Sequence, residues 1–312
     1  MDGSIARPRP FLALGIRLLA AGALATMAML AKLGASKGVH LAELIFWRQT
    51  LTLAAVTLIL ALSGRILSVK TTRLGAHARR AMTGLIGMFF VYGAVILLPL
   101  AEATAISFTA PFFAVMISVI LFGEKVGRYR WGAVILGFAG VLLITQPNVL
   151  PGSSGMIDPF GAAVGLIAAA LVALISFQVQ DLNKSENPWT IVFWFTAISA
   201  PIMALIVPFF IGSHDAETWG IIIAMAAAGA LGQILLTTSL RFGSAAVIIV
   251  MDYTSLLWAT LYGASVFGTA PSDMLWFGAP LIIGAGLLIA YRERVAVKSA
   301  GRSPDKGEDE AV

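Results

Sequence analysis

Trp131-Gly-Ala-Val-Ile-Leu-Gly-Phe-Ala-Gly-Val-Leu-Leu-Ile144 and Trp276-Phe-Gly-Ala-Pro-Leu-Ile-Ile-Gly-Ala-Gly-Leu-Leu-Ile289 are the two stretches that decide the fold. They lie 145 residues apart, and both are apolar runs opening on tryptophan. Carried on at the same offset, Phe122-Gly123 falls on Phe267-Gly268, Thr109 on Thr254, Ala114 on Ala259, and Gly84 and Gly87 on Gly229 and Gly232. An offset longer by two sets Phe46-Trp47 on Phe193-Trp194. Leu, Gly and Ala coincidences come cheaply in apolar sequence, so the Trp and Phe-Gly matches carry the reading. The chain reads as one unit used twice, at 11–146 and 157–292, with 293–312 as a polar, disordered cytoplasmic tail.

Composition says where such units sit. Of the 312 residues 59% are hydrophobic and 12% charged, with a mean hydropathy of +0.90. A soluble domain has about 45–50% apolar and about 25% charged residues, enough to clothe its surface. This chain has too few charges for that, and no cysteine for a disulfide scaffold. It reads as an all-α polytopic membrane protein. The net charge of +5 would suit nucleic acid only if the basic residues gathered on one solvated face. In a membrane chain, Lys and Arg instead report which loops are cytoplasmic.

A membrane-crossing helix needs about 20 mostly apolar residues. Ten stretches qualify, near 11–33, 41–63, 80–98, 101–122, 130–146, 159–179, 189–211, 219–239, 244–267 and 273–291. The breaks carry turn chemistry or charge, such as Gly64-Arg65, Gly123-Glu124-Lys125 and Asn187-Pro188; Leu98-Pro99-Leu100 is the weakest. With the N-terminus inside, 18 of the 21 Lys and Arg fall on the cytoplasmic side, Arg17 and Arg80 among them. Lys32 and Lys37 fall outside, and Arg48 lies within a span. No Ala-x-Ala-type cleavage site follows the first stretch, so it is expected to be a retained span. Five spans per copy is an odd number, so the second copy enters the membrane from the opposite side. Ten helices as two inverted five-helix repeats is an arrangement of secondary transporters.

The residues also resemble a known family. Leu98-Pro-Leu-Ala-Glu-Ala-Thr-Ala-Ile-Ser-Phe-Thr-Ala-Pro111, then Leu121-Phe-Gly-Glu-Lys125 and the Trp131–Ile144 span, are similar to the EamA repeat of the drug/metabolite transporter superfamily. The second copy is similar through Asp252-Tyr253-Thr254 and Phe267-Gly268, with Thr269 where the first has Glu124. Pro-Leu-Ala-Glu-Ala-Thr and Asp-Tyr-Thr look closest to the branch containing S-adenosylmethionine carriers. The resemblance spans about residues 11–292. It implies a ten-helix inner-membrane carrier with a central cavity, driven by an ion gradient or by exchange. It implies a small metabolite as cargo: an amino acid, a nucleotide-like compound, a vitamin or an amphiphile.

Ionisable groups at membrane depth are the first site candidates, because they are expensive there. Asp252 sits about ten residues into its span, roughly 15 Å deep. It suits proton coupling or a cationic substrate; the alternative is a polar contact between helices. Arg48, roughly 10 Å deep, suits a substrate carboxylate or Asp252, or else it snorkels or fixes packing. Glu43 and Glu102 are expected at hydrated outer helix ends. Gln178 and Gln233 bring amides into apolar helices. Tyr92, Tyr253 and Trp258 offer aromatic faces for a cationic or ring-bearing ligand. Pro111, mid-span, is a candidate hinge. Gly137, Gly140, Gly284 and Gly286 read as packing residues, with a homodimer contact as one use.

An intramembrane enzyme is the rival reading. It would need a nucleophile with a base, or a metal cluster. There is no cysteine, and His40, His77 and His214 all fall in expected loops without His-Glu-x-x-His spacing. A receptor would need neither a buried Asp252 nor a repeat. No P-loop signature is present, and neither a cofactor, a metal nor nucleic acid is expected. The partners are the bilayer, a small metabolite, and a proton or other coupling ion.

Overall fold

The computed structural model describes residues 10–123, 127–145, 158–242 and 249–300. Every regular element among them is helical. In order they are α1 (Pro10–Ser36), α2 (Leu41–Leu62), α3 (Leu74–Leu97), α4 (Leu100–Ser107), α5 (Ala110–Phe122), α6 (Arg128–Thr145), α7 (Pro159–Asn183), α8 (Pro188–Ile206), α9 (Ala216–Phe242), α10 (Ser255–Phe267) and α11 (Asp273–Ala300). Short 3-10 turns occupy Ile66–Val69, Val207–Phe209 and Ile249–Thr254. The starts follow local chemistry. His40 caps α2 by accepting from the Ala42 N–H, Asp158 caps α7 through Phe160 and Gly161, and Asn187 caps α8 through Trp189. Pro159 and Pro188 stand at the first helical position, where a missing N–H is harmless.

Seven segments are long and apolar enough to cross a membrane among the described residues: Leu14–Ser36, Leu41–Leu62, Leu74–Leu97, Leu100–Ile120, Pro159–Asn183, Pro188–Phe209 and Ala216–Leu236. Trp131–Ile144 and Asp273–Leu288 are shorter apolar helices. Their outer faces carry bare apolar side chains, including Leu62, Leu205 and Phe209. Lipid solvates such groups without penalty. This is a multi-pass membrane protein.

Several boundaries differ from the sequence reading. α3 begins at Leu74 rather than near 80, so His77 and Arg80 are in a helix, and His77 is buried. α11 continues to Ala300, past the expected end at 292. Residues 301–312, the 146–157 link and the start of the ninth expected span lie outside the described residues. The Leu98-Pro99 break stands, with Pro99 opening α4.

The fourth expected span is two helices, not one. α4 ends at Ser107 and α5 starts at Ala110, which puts Pro111 in the first turn of a new helix instead of mid-helix. There its ring breaks no internal hydrogen bond. The second copy behaves alike: a 3-10 turn precedes α10. Thr109 and Thr254 flank the starts of α5 and α10, and both helices have 13 residues. Both close on glycine, Gly123 at φ 65° and Gly268 at φ 61°, in the left-handed region where a side chain is strained. Each of these pairs is separated by 145.

Packing has the same two-copy character. α1 lies mainly along α9, and its counterpart α7 along α3. α2 crosses α8, and α6 crosses α11. α7 touches α4 and α5, as α1 touches the 249–254 turn and α10. At the α6–α11 crossing Gly140 and Gly278 face each other, and a methyl on Gly140 would lie 2.7 Å from the Gly278 carbonyl. Gly137 is taken by Phe112 and Gly286 by Tyr253; only Gly284 of the four nominated glycines faces open space. Three of them therefore serve packing contacts inside this chain. The core has two parts. One gathers Phe108, Phe112, Val134, Ile144 and Ile282, and the other Met27, Leu44, Met88, Tyr92, Met203 and Met225.

Candidate functional site

Two polar centres lie within the bundle. The first is an ion pair between α1 and the turn ahead of α10. Arg17 Nε donates to Asp252 Oδ1 and Nη2 to Oδ2, both at 2.6 Å. The fork geometry matches guanidinium to carboxylate, the arrangement in which such pairs are strongest. Arg17 is buried, while Asp252 keeps 40% of its side chain exposed. Arg48 is one partner the sequence offers for Asp252; in the structure Arg17 has that place. Equal depth along the membrane normal does not bring two helices to the same side of a bundle, and α1 is the neighbour here. Tyr253, next in sequence, turns away to meet Phe108 edge-on at 4.9 Å. Trp258 stacks on Tyr262 and lies over Gly22, and the Tyr262 hydroxyl is 2.7 Å from Thr26 Oγ1.

The second centre is Arg48, with Tyr92 and Met27. Arg48 Nε lies 3.3 Å from Met27 Sδ, and Nη1 lies 3.3 Å from Met88 Sδ and 3.1 Å from Gln49 Oε1. The Tyr92 hydroxyl also points at Met27 Sδ. Gln49 donates on to Ser199 of α8. Thioethers are weak acceptors, so the Arg48 charge is solvated chiefly by one amide oxygen. Arg80, counted by the sequence among cytoplasmic loop charges, reaches the same region. Its guanidinium lies 4.5 Å from the Phe195 ring centre, and its buried Nε and Nη1 find no hydrogen-bond partner. Arg80 runs along α3 to Gly84, one turn short of the Met88 that Arg48 touches, and Phe195 beneath it is one turn before the Ser199 that Gln49 holds.

Gln178 joins neither centre. Gln178 reaches Thr83 of α3 at 3.1 Å and leaves its buried Oε1 without a partner. Gln233 lines a small pocket with Thr52, Val56, Trp189, Val192, Ala230 and Ile234. Arg48 and Tyr92 meet at one centre and Asp252 stands at the other, a grouping not read from the sequence, which also did not nominate Arg17 or Arg80. The one signal for Arg80 was Gly84, a turn later, where a side chain would strike Arg80 and Phe195.

The helix ends away from Arg17 are tied shut. Glu43 and Glu102, expected to be hydrated, are buried. Glu43 accepts from Trp47, from the Gly212 N–H and from His214 at 2.9 Å, and Glu102 accepts from the Ser272 N–H. Folded-over loops supply these donors, which is why a helix-end position misled. Lys32 donates to the carbonyls of Val95, Ile96 and Leu98, satisfying the free end of α3. Lys37 holds Glu217 at 2.8 Å; that hydrogen bond raises the Lys37 pKa. At the opposite end Arg73 joins α3 to Asp181 and Ser185 at the close of α7. No group of His, Asp and Glu among the described residues could hold a metal ion.

Against known proteins, the EamA-like transporter family matches residues 11–146 and again 159–291. The chain belongs to the EamA-like transporter family. It is 25% identical to the pseudopaline exporter CntI of Pseudomonas aeruginosa strain UCBPP-PA14, over 83% of this chain and 89% of that one. It is 30% identical to a riboflavin transporter of Rhizobium johnstonii over 70% of each chain. A riboflavin transporter of Brucella anthropi is 28% identical, over 86% of this chain and 94% of the other. A protein of known crystal structure superposes with a TM-score of 0.59 at 20% identity, covering 92% of this chain and 99% of that one. That likeness concerns the fold. The family and these relatives make the chain a membrane transporter of small metabolites; all three relatives are named as transporters or exporters.

Proposed function

We propose that the chain is a secondary transporter with ten spans, two five-span copies at 11–146 and 157–292 inserted in opposite directions, working by alternating access in the inner membrane with both termini cytoplasmic. Packing that keeps its pattern when the copies are exchanged is the observation that supports this most. Two halves that can trade roles give two conformations of similar energy, open to opposite sides. The paired joints before Ala110 and Ser255, with Pro111 beside the first, are where the helices bend. The Glu43–His214 and Lys32–α3 ties close the outer end, and Arg17–Asp252 and Arg73–Asp181 close the inner one. Transport opens one set while the other holds.

The substrate is a small organic metabolite. The relatives' names point to compounds such as riboflavin and pseudopaline, and the resemblance in the Asp-Tyr-Thr segment to S-adenosylmethionine or another amino-acid-like or nucleoside-like compound. Arg48, Tyr92, Tyr253, Trp258, Gln178 and Gln233 are its candidate contacts, with Asp252 as the coupling group for a proton or other ion, or for exchange. A homodimer would use the lipid-facing surface near Gly284.

The absence of cysteine makes the topology testable without knowing the substrate. Ser36, Ser63, Ser185 and Ser213 are exposed at helix ends. In intact cells a membrane-impermeant maleimide should label Ser36→Cys and Ser213→Cys, and should reach Ser63→Cys and Ser185→Cys only after permeabilisation. Ser36 and Ser185 end equivalent helices, so labelling of both from one side removes the inverted repeat. Counterflow of radiolabelled metabolites in proteoliposomes then tests transport itself.

A further inference from the structure

We propose that the substrate carries an oxyanion, a carboxylate or a phosphate, bound between Arg48 and Arg80; this rests on the transporter reading above. The charge pattern motivates it. Asp252 is held by Arg17, Glu43 by His214, and Asp181 by Arg73. Arg48 and Arg80 have no carboxylate partner among the described residues, and two Arg80 nitrogens have no partner at all. A buried cation is ordinarily paired, because desolvation is expensive. Two guanidiniums with no carboxylate beside them present donor forks that fit an oxyanion in two directions.

The path of Arg80 supports this. It lies near the start of α3, where a side chain leans back toward the helix N-terminus. An arginine so placed normally snorkels to the nearby interface and recovers its hydration. Arg80 does the reverse. It runs past Gly84, one turn deeper, and stacks on Phe195. Gly84 has no side chain to obstruct it. Gly229, 145 residues on, gives Arg48 the same clearance: a methyl there would lie 3.2 Å from Arg48 Nε. Phe195, beneath Arg80, is itself 147 residues after Arg48, the offset that aligns Phe46-Trp47 with Phe193-Trp194. Both arginines belong to the first copy, and each runs beside one of the paired glycines, Arg80 at Gly84 and Arg48 at Gly229. Met27, Met88, Tyr92 and Phe195 make the surrounding wall deformable, apolar and aromatic. That wall suits an organic body bearing the anionic group, and the sign of charge is opposite to the one Asp252 alone suggested.

The test is thermal unfolding of the purified full chain with matched ligands: riboflavin against riboflavin 5′-phosphate, and aromatic amino acid N-acetyl derivatives against their amides. We expect an anionic member to raise the midpoint and its neutral mate not to. The phosphate and carboxylate arms tell the two oxyanions apart. Arg48→Gln and Arg80→Gln should each weaken that binding about 10- to 100-fold, the usual weight of a charged hydrogen bond. The ligand-free midpoint should stay or rise, since an unpaired buried charge has gone. A structural arginine would show the opposite, a lowered ligand-free midpoint with the anion shift intact, and that overturns the proposal. So does a panel with no anion-specific shift. Maleimide labelling needs no substrate, so it decides separately whether the transporter reading stands.

Discussion

Replacing Asp252 by asparagine leaves Arg17, buried about 10 Å along α1 at 1.5 Å per residue, without its anion. The wild-type pair makes two 2.6 Å bonds, with side chains 10% and 40% exposed. At an effective dielectric of ~20, unit charges ~4 Å apart attract by ~4 kcal/mol. Exposure of Asp252 and freedom of Arg17 to snorkel reduce what survives, so a double-mutant cycle with Arg17→Gln should give a coupling of about 1–2 kcal/mol. Unfolding by SDS titration in mixed micelles reads it: each single variant is destabilised, and the double variant hardly more than either. Additivity within about 0.5 kcal/mol refutes the coupling. Transport then separates latch from coupling site. A latch predicts loss of transport in both single variants and partial recovery in the charge-swapped Arg17→Asp/Asp252→Arg protein. A proton-coupling carboxylate predicts loss of proton-driven uptake with exchange preserved in Asp252→Asn. Wild-type transport in Asp252→Asn removes Asp252 from the mechanism.

Gly140→Ala would drive a methyl into the Gly278 carbonyl and should destabilise by about 1–3 kcal/mol, whereas Gly284→Ala meets nothing and should be neutral or gain up to about 1 kcal/mol; thermal midpoints of the two decide it. His214→Ala leaves the buried Glu43 carboxylate short of one donor and should cost about 1–3 kcal/mol, seen as a lower midpoint that Glu43→Gln does not add to. Asp215 accepts from the Thr218 N–H at the start of α9, and hydrogen bonding to Thr218 lowers its pKa. Its contribution is present above the ordinary aspartate range and lost as pH falls through the lowered value, so the midpoint gap between wild type and Asp215→Ala should close on acidification. A gap independent of pH would mean that the carboxylate charge is not involved.

What the sequence could yield is set by which physical quantity each feature depends on. Caps and turns depend on local residues, so the Thr109/Thr254 and Gly123/Gly268 pairs are visible in the 145-residue offset before any helix is drawn. The break beside Pro111 was partly visible, but its form was not: proline in an apolar run reads as a kink, while here a new helix starts just before it. Side-chain direction leaves a fainter trace. Counting Lys and Arg sorts them by nearness to a span end, which put Arg17 and Arg80 outside the membrane with true loop residues. Removing those two leaves 16 of the 18 on the same side, so the orientation signal survives the error. Glu43 and Glu102 failed for a related reason, since burial at a helix end depends on a loop distant in sequence.

The two copies differ where charge enters. Arg80 faces Met225 at the 145 offset, Arg48 faces Phe195 at 147, and Asp252 faces Ser107. Met225 is fully buried in the same core as Tyr92 and Met88. In the proposed inverted repeat, matching residues make the two access states nearly equal in energy, since each half can adopt the other's pose. Charges present in one half alone break that equality. Arg17–Asp252 then favours the state in which α1 lies against the 249–254 turn, and a ligand must repay whatever the switch loses there. Arg48 and Arg80 are suited to supply it, because an oxyanion that relieves two unpaired cations binds most tightly to the state that brings them together. A ligand moves such an equilibrium only through its different affinity for the two states. Neutralising both arginines should therefore leave the protein resting in one access state, measurable as maleimide reactivity at Ser63→Cys and Ser213→Cys that no longer changes when ligand is added.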